Sequence, residues 1–308
     1  MNQERVLITG GNGYIGHYLV NALKECGTEV FITSRNAKGN DCRHMELLDT
    51  ATIAGICHGV GEVVHLANLD ERLVKQQSRE ALLANSYATR ELYLDAVREG
   101  VKKFIYFSTF HVYGCNSGNI DEDTVPKPQT DYGLTHYFAE QYLEQLSKQE
   151  GLPVAVVRLT NGIGAPIGAD KWYLVLNDFC RTVLATGKIT LKSNGLPQRD
   201  FVPLRDVAKA TVVLLKTMQN NPYEVYNVSS EVTYSIRDLA FAAAKFYERR
   251  YGKKAEIEIP SVTQAEADAV KPLHVSSHKI RRLGWNPQIT LDEVIDEIFT
   301  VLERGEKI

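Results

Sequence analysis

The chain has no CxxC pair, no cluster of one charge sign, no long apolar run and no internal repeat, and each absence excludes something. Its five cysteines (Cys26, Cys42, Cys57, Cys115, Cys180) are odd in number and scattered. That argues against a disulfide framework or a zinc ribbon and for reduced thiols, so no metal site is expected. Lys and Arg number 35 against 38 Asp and Glu, a formal charge of -3 without a basic stripe, and nucleic acid is not an expected partner. No stretch approaches the roughly 18 apolar residues of a membrane helix. The start, Met1-Asn2-Gln3-Glu4-Arg5, lacks the features of a secretory signal, so a cytoplasmic protein without membrane contact is expected.

What is present is ordinary globular material: 308 residues, 44% hydrophobic, 24% charged, with a mean hydropathy of -0.22. Short apolar runs alternate with amphipathic stretches through the first half. Strands are expected at 5–9, 29–33, near 45, 62–66, 103–108 and 154–158, and helices at 14–26, 78–99 and 131–149. Sustained βαβ repetition predicts an α/β fold with a doubly wound parallel sheet of the Rossmann type. Glycine and proline become frequent over 162–168. The expected division is a dinucleotide-binding domain over 1–161, to which 200–229 return, and a smaller α+β substrate domain over 162–308. A strand-then-helix unit at 201–218, a strand at 224–228, a helix at 236–251 and terminal helices complete the pattern.

Thr9-Gly10-Gly11-Asn12-Gly13-Tyr14-Ile15-Gly16 lies between the first strand and the first helix. Gly10 allows a sharp turn, Gly13 lets backbone approach a pyrophosphate, and Gly16 lets helix and strand pack closely. Free N–H groups and the helix dipole then favour the phosphates of a dinucleotide. The second strand ends in Thr33-Ser34-Arg35 rather than an acidic residue. A hydroxyl and a guanidinium suit a 2′-phosphate, so NADP(H) is preferred and NAD(H) stays open.

Further motifs follow in order: Leu48-Asp49; Val64-His65-Leu66-Ala67; Asn85; Phe107-Ser108-Thr109-Phe110-His111-Val112-Tyr113-Gly114; Tyr132-Gly133-Leu134-Thr135-His136; and Arg199-Asp200-Phe201-Val202. In this order and spacing the chain resembles the extended short-chain dehydrogenase/reductase family, which includes nucleotide-sugar epimerases, dehydratases and 4-keto reductases. The resemblance implies an oxidoreductase acting on a nucleotide-diphosphate sugar. It places Leu48 and Asp49 at the adenine, and Leu66, Ala67, Asn85 and Ser108 beside the coenzyme. Thr109 becomes the hydroxyl that hydrogen-bonds the substrate oxygen, and Tyr132 the phenol that exchanges a proton with it. Asn161, Lys171 and Arg199 fall where the family meets the sugar diphosphate, and a homodimer through the helices after Asn85 and around Tyr132 is implied.

One position departs from the family. The pattern Tyr-x-x-x-Lys reads Tyr132-x-x-x-His136 here. Positions i and i+4 share a helical face, so the imidazole reaches the same coenzyme or phenol but supplies no permanent charge. Phe110 and His111 stand where 4,6-dehydratases of the family carry Asp-Glu, and Phe110 where 3,5-epimerising members carry Cys. Simple redox at a ring carbon remains. An NADPH-dependent reductase of a nucleotide-diphosphate 4-keto-6-deoxyhexose is preferred over a 4-epimerase with bound NAD. A catalytically silent NADP-binding sensor is the alternative of another class. His65 reads as a packed strand histidine, and His111 as a candidate substrate contact.

Overall fold

Val6–Thr9 is wholly buried, an apolar strand at the centre of the molecule around which the rest is laid down. The computed structural model describes residues 5–219 and 221–305; Met1 to Glu4, part of the expected leaderless start, lie outside them. In chain order the first half comprises β1 (Val6–Thr9), α1 (Tyr14–Glu25), β2 (Val30–Ser34), β3 (Cys42–His44), β4 (Glu62–His65), α2 (Glu71–Val74), α3 (Ser78–Ala81), α4 (Ala88–Arg98), β5 (Lys103–Thr109), β6 (Gly118–Ile120), α5 (Asp131–Glu150) and β7 (Val154–Leu159). The second half adds β8 (Asn161–Ile163), α6 (Val175–Thr186), β9 (Lys188–Thr190), β10 (Gln198–Pro203), α7 (Leu204–Thr217), β11 (Tyr223–Val228), β12 (Thr233–Ser235), α8 (Ile236–Tyr251), β13 (Glu256–Glu258), α9 (Gln264–Asp268), β14 (Leu273–Val275), α10 (His278–Arg281) and α11 (Leu291–Glu303).

Seven parallel strands form the main sheet in the order β11-β7-β5-β4-β1-β2-β3. The order reverses at β1 and β4, which opens a crevice beyond their C-terminal ends. The expected doubly wound sheet is therefore present. Period-two burial builds one core on each face: along β5, Ile105 and Phe107 pack toward α1 and α7, while Phe104 and Tyr106 pack toward α4 and α5. A third core gathers α6, α8 and α11 with β9 and β10.

Two elements differ from the sequence reading. The expected helix at 78–99 is interrupted by a π-helical segment, Leu82–Tyr87, between α3 and α4. The strand of the 201–218 unit, β10, does not rejoin the main sheet; it pairs with β8 and β12 in a separate three-stranded sheet. Only α7 and β11 return, because Val207, Ala208 and Leu214 offer the apolar stripe that α1 needs on that face.

Two tyrosines tie the third core to the sheet. The Tyr14 hydroxyl donates to the Gly164 carbonyl at 2.7 Å, and the Tyr18 hydroxyl meets the Ala165 carbonyl at 3.0 Å and Glu297 at 2.7 Å. Both buried hydroxyls thereby gain partners, without which each would cost about 1–3 kcal/mol.

Candidate active site

The crevice at the strand reversal is a cleft of about 430 Å³ lined by the glycine loop, the ends of β4 and β5, the start of α5 and the segment after β8. Gly10 has φ +70°, and a Cβ on Gly16 would lie 2.2 Å from the Gly10 carbonyl oxygen, so the tight approach of loop and helix requires glycine. Gly13 caps α1 without a side-chain hydrogen bond, and the first turn holds no acidic residue. The N–H groups there are left for an anion.

The start of α5 is fixed locally. Thr130 caps it, its hydroxyl oxygen accepting from the Gly133 N–H at 3.1 Å, and this places Tyr132, His136 and Glu140 along one face. Thr109 ends β5 and accepts from the His111 N–H at 3.2 Å, which turns the chain so that Thr109, His111 and Tyr132 line the same cleft. The rings of Tyr132 and His136 lie 4.7 Å apart at 72°, and those of His111 and Tyr132 5.7 Å apart. Removal from water pushes the Tyr132 phenol well above its ordinary value; the carboxylates of Glu71 and Asp70 push it further, and the Thr109 hydroxyl works against them.

His136 is buried, 1% exposed, and burial, reinforced by His65 and His111, pushes its pKa down to about 3. It is a neutral imidazole. Its Nδ1 meets the Tyr106 hydroxyl at 2.8 Å, while its Nε2 has no partner. His65, held between Thr9 at 2.6 Å and Thr89 at 2.9 Å, is likewise neutral, with its pKa pushed down to about 3 by burial. It is a packed residue of the sheet.

The remaining candidates divide by position. Ile15, Leu66, Ser108 and Lys171 line the cleft with the glycines and Tyr14. Ser108 donates to Glu140, which pairs with Arg158 at 2.7 Å in an ion pair that is buried on both sides. Lys171 reaches across the mouth to Asp70 at 2.8 Å and to the Tyr173 hydroxyl at 2.7 Å. Burial opposes both charges, yet the pairing holds Asp70 below and Lys171 above its ordinary range.

Other positions lie outside the cleft wall. Asn85 is drawn elsewhere: its amide pins Leu69, at 2.7 and 3.1 Å, and reaches Thr135 at 3.3 Å, so it holds the loop after β4 against α5. The Ala67 N–H donates to the Thr9 hydroxyl at 3.1 Å. Asn12, Arg35 and Leu48 are exposed, Ser34 accepts from the Asn36 N–H, and Asp49 caps the short turn that follows it. Asn161 donates to the Asp200 carbonyl at 2.8 Å while its neighbours Thr160 and Gly162 line the cleft. Arg199 is exposed on β10, close enough for its charge to act on Glu71 and His111.

Sequence reading missed Tyr106, Asp70, Glu140 and Arg158, all brought in by long-range packing. It also missed Glu71 and Arg72 at the cleft wall, whose only signal is the Asp70 cap that starts α2. Among the described residues no group of His, Cys, Asp and Glu is arranged to hold a metal, and no helix is long and apolar enough to cross a membrane.

The family model described as the NAD dependent epimerase/dehydratase family matches residues 6–229. The chain belongs to this family. It is 26% identical to the dTDP-D-glucose 4,6-dehydratase of Mus musculus, covering 95% of this chain and 86% of that protein. Its fold matches the UDP-glucose 4-epimerase of Thermotoga maritima, solved with UDP-glucose, with a TM-score of 0.82 and 24% identity over 98% of this chain and 100% of that one. RMD from Pseudomonas aeruginosa, solved with NADPH, gives 0.81 and 22% over 98% and 99%. As a family member the protein is an NAD(P)-dependent enzyme of the extended short-chain dehydrogenase group. The cleft fits that coenzyme on its own terms: the glycine cradle and the start of α1 line it, and so does His136, whose Nε2 has no partner.

Proposed function

We propose that the protein is an NADPH-dependent reductase that converts the keto group of a nucleotide-diphosphate 4-keto-6-deoxyhexose to a hydroxyl. The observation that carries the reading is the setting of Tyr132, whose phenol is raised by burial and two carboxylates and has a neutral imidazole where a cation would lower it. A phenol held protonated is poised to give a proton, and reduction of a ketone requires one. A reaction that begins by oxidising an alcohol requires the phenolate instead.

Reduced coenzyme, when bound, supplies a hydride to the carbonyl carbon. Thr109 donates a hydrogen bond to the carbonyl oxygen and orients it. Tyr132 gives its proton to that oxygen as charge develops, and the resulting phenolate recovers a proton from water. Phe110, 9% exposed and apolar, and His111 offer no acid–base pair for expelling water from the sugar. Ser34 and Arg35 at the end of β2 suit the 2′-phosphate of NADPH. Lys171, Arg199 and Asn161 serve the sugar diphosphate, with Lys171 exchanging Asp70 for a phosphate oxygen, and His111 meets the sugar at the mouth. The exposed apolar side chains Leu82, Leu83, Tyr87, Phe138 and Tyr142, on neighbouring helical segments, support a homodimer, and the composition supports a cytoplasmic location.

The test supplies NADPH and a nucleotide-diphosphate 4-keto-6-deoxysugar and follows absorbance of the reduced nicotinamide. One coenzyme oxidised per sugar reduced is expected. Interconversion of C4 epimers without net oxidation would assign the 4-epimerase reading instead, which the likeness to an epimerase fold favours. Binding without turnover would leave the sensor.

A further inference from the structure

His136 presents a question of protons that its distances answer. Its Nδ1 shares a hydrogen with the Tyr106 hydroxyl at 2.8 Å, and its Nε2 is buried with no partner. Either the phenol donates to Nδ1, or Nδ1–H donates to the phenol oxygen. Among the described residues the Tyr106 hydroxyl meets no other hydrogen-bond partner, so the second arrangement strands the phenolic hydrogen as well as the Nε2 lone pair. The first strands only Nε2–H. Each buried polar group left unsatisfied costs stability, and the first arrangement leaves one fewer, so it prevails.

The surroundings hold this arrangement in place. Burial and the Glu140 carboxylate push Tyr106 well above the ordinary phenol range, so it stays a donor. His65 packs 5.7 Å from the Tyr106 ring, while His111 and Tyr132 complete the titratable groups around His136. None of these rings supplies an anion that would charge the imidazole, and Glu140, one turn along α5, is paired with Arg158.

We infer that Tyr106 is a positioning residue: its hydroxyl fixes His136, which lines the coenzyme cleft, as the Nε2–H tautomer, a neutral donor that has no partner within the protein and would serve an acceptor oxygen of the bound coenzyme. A lysine in this place would bring a charge and three donors; this pair brings one directed donor and no charge. The inference rests on the coenzyme reading of the cleft and is independent of which sugar is reduced.

The test uses the full-length protein labelled with nitrogen-15 histidine and needs no sugar. The wild-type spectrum should show His136 Nε2 carrying the proton and Nδ1 bare, unchanged across the neutral pH range. In Tyr106→Phe the nitrogen signals of His136 should move, and the NADPH dissociation constant, measured by fluorescence titration, should rise roughly twofold to tenfold, the worth of one neutral hydrogen bond. A wild-type proton on Nδ1 overturns the inference, as do unmoved signals or unmoved affinity in the variant. The wild-type spectrum decides alone should the variant not fold. Failure of sugar reduction with the tautomer confirmed would overturn only the proposed reaction.

Discussion

Replacing His136 with lysine places a cation beside Tyr132, and the size of the effect can be worked out. The two rings lie 4.7 Å apart. An ammonium about 5 Å from the phenolic oxygen, at an effective dielectric of about 20, favours the phenolate by roughly 3 kcal/mol. That is about two pKa units downward for Tyr132. The reductive reaction needs the protonated phenol, so its rate is lost as pH rises through the Tyr132 pKa. In the wild type that loss lies at strongly alkaline pH, because burial and the Glu71 and Asp70 carboxylates hold the phenol up. In His136→Lys the alkaline limb should move down by about two pH units, and alcohol oxidation with the oxidised coenzyme should gain rate at mildly alkaline pH. Burial of the new ammonium opposes folding, so melting temperature should fall in the same variant. Initial rates against pH in both directions give the profile. An ultraviolet difference titration of His136→Lys with and without Tyr132→Phe reads Tyr132 ionisation without any sugar. Ionisation of Tyr132 at the same pH in wild type and variant would refute the reasoning.

Three further outcomes follow from the same structure. Arg35→Ala should raise KM for NADPH by roughly tenfold or more, the worth of one charged hydrogen bond, and leave KM for NADH unchanged; equal effects on both coenzymes would remove Arg35 from the 2′-phosphate. Arg158→Met leaves Glu140 buried without its partner and should cost about 3–5 kcal/mol in urea unfolding, largely restored by adding Glu140→Gln; an unaffected single variant would show the ion pair to be dispensable. Burial pushes Asp200 up to about 6, against hydrogen bonds from Thr160 and Ser230. The folded state therefore holds a proton that the unfolded chain releases near pH 4, and this group's contribution falls as pH rises from about 4 to about 6. Stability of Asp200→Asn relative to wild type should grow over that interval by up to roughly 3 kcal/mol; a constant difference would show that Asp200 does not titrate there.

Local signals were enough for much of the molecule. Apolar strands of period two and the glycine spacing of residues 10 to 16 are read within a few residues of themselves, and the parallel sheet follows from the alternation of strands and helices. The family resemblance pointed to Thr109, just past the strand expected at 103–108, and to Tyr132, inside the helix expected at 131–149, and the fold brings both to one cleft. Asn85 shows the limit. Its place in the motif order suggested the coenzyme, but from its π-helical turn its amide bonds the Leu69 backbone and Thr135, and neither contact is visible in residue type.

The amino-acid order by itself determined the alternating sheet and the glycine loop at the start of α1, because each depends on neighbours along the chain. Tertiary structure alone decided the state of His136. Its charge depends on how much water is excluded by Tyr106, His65 and Tyr132, and its tautomer on a hydroxyl contributed by β5, 30 residues away. Solvation and hydrogen bonding of a buried group are set by everything packed around it, and that is fixed only when the helix closes on the sheet.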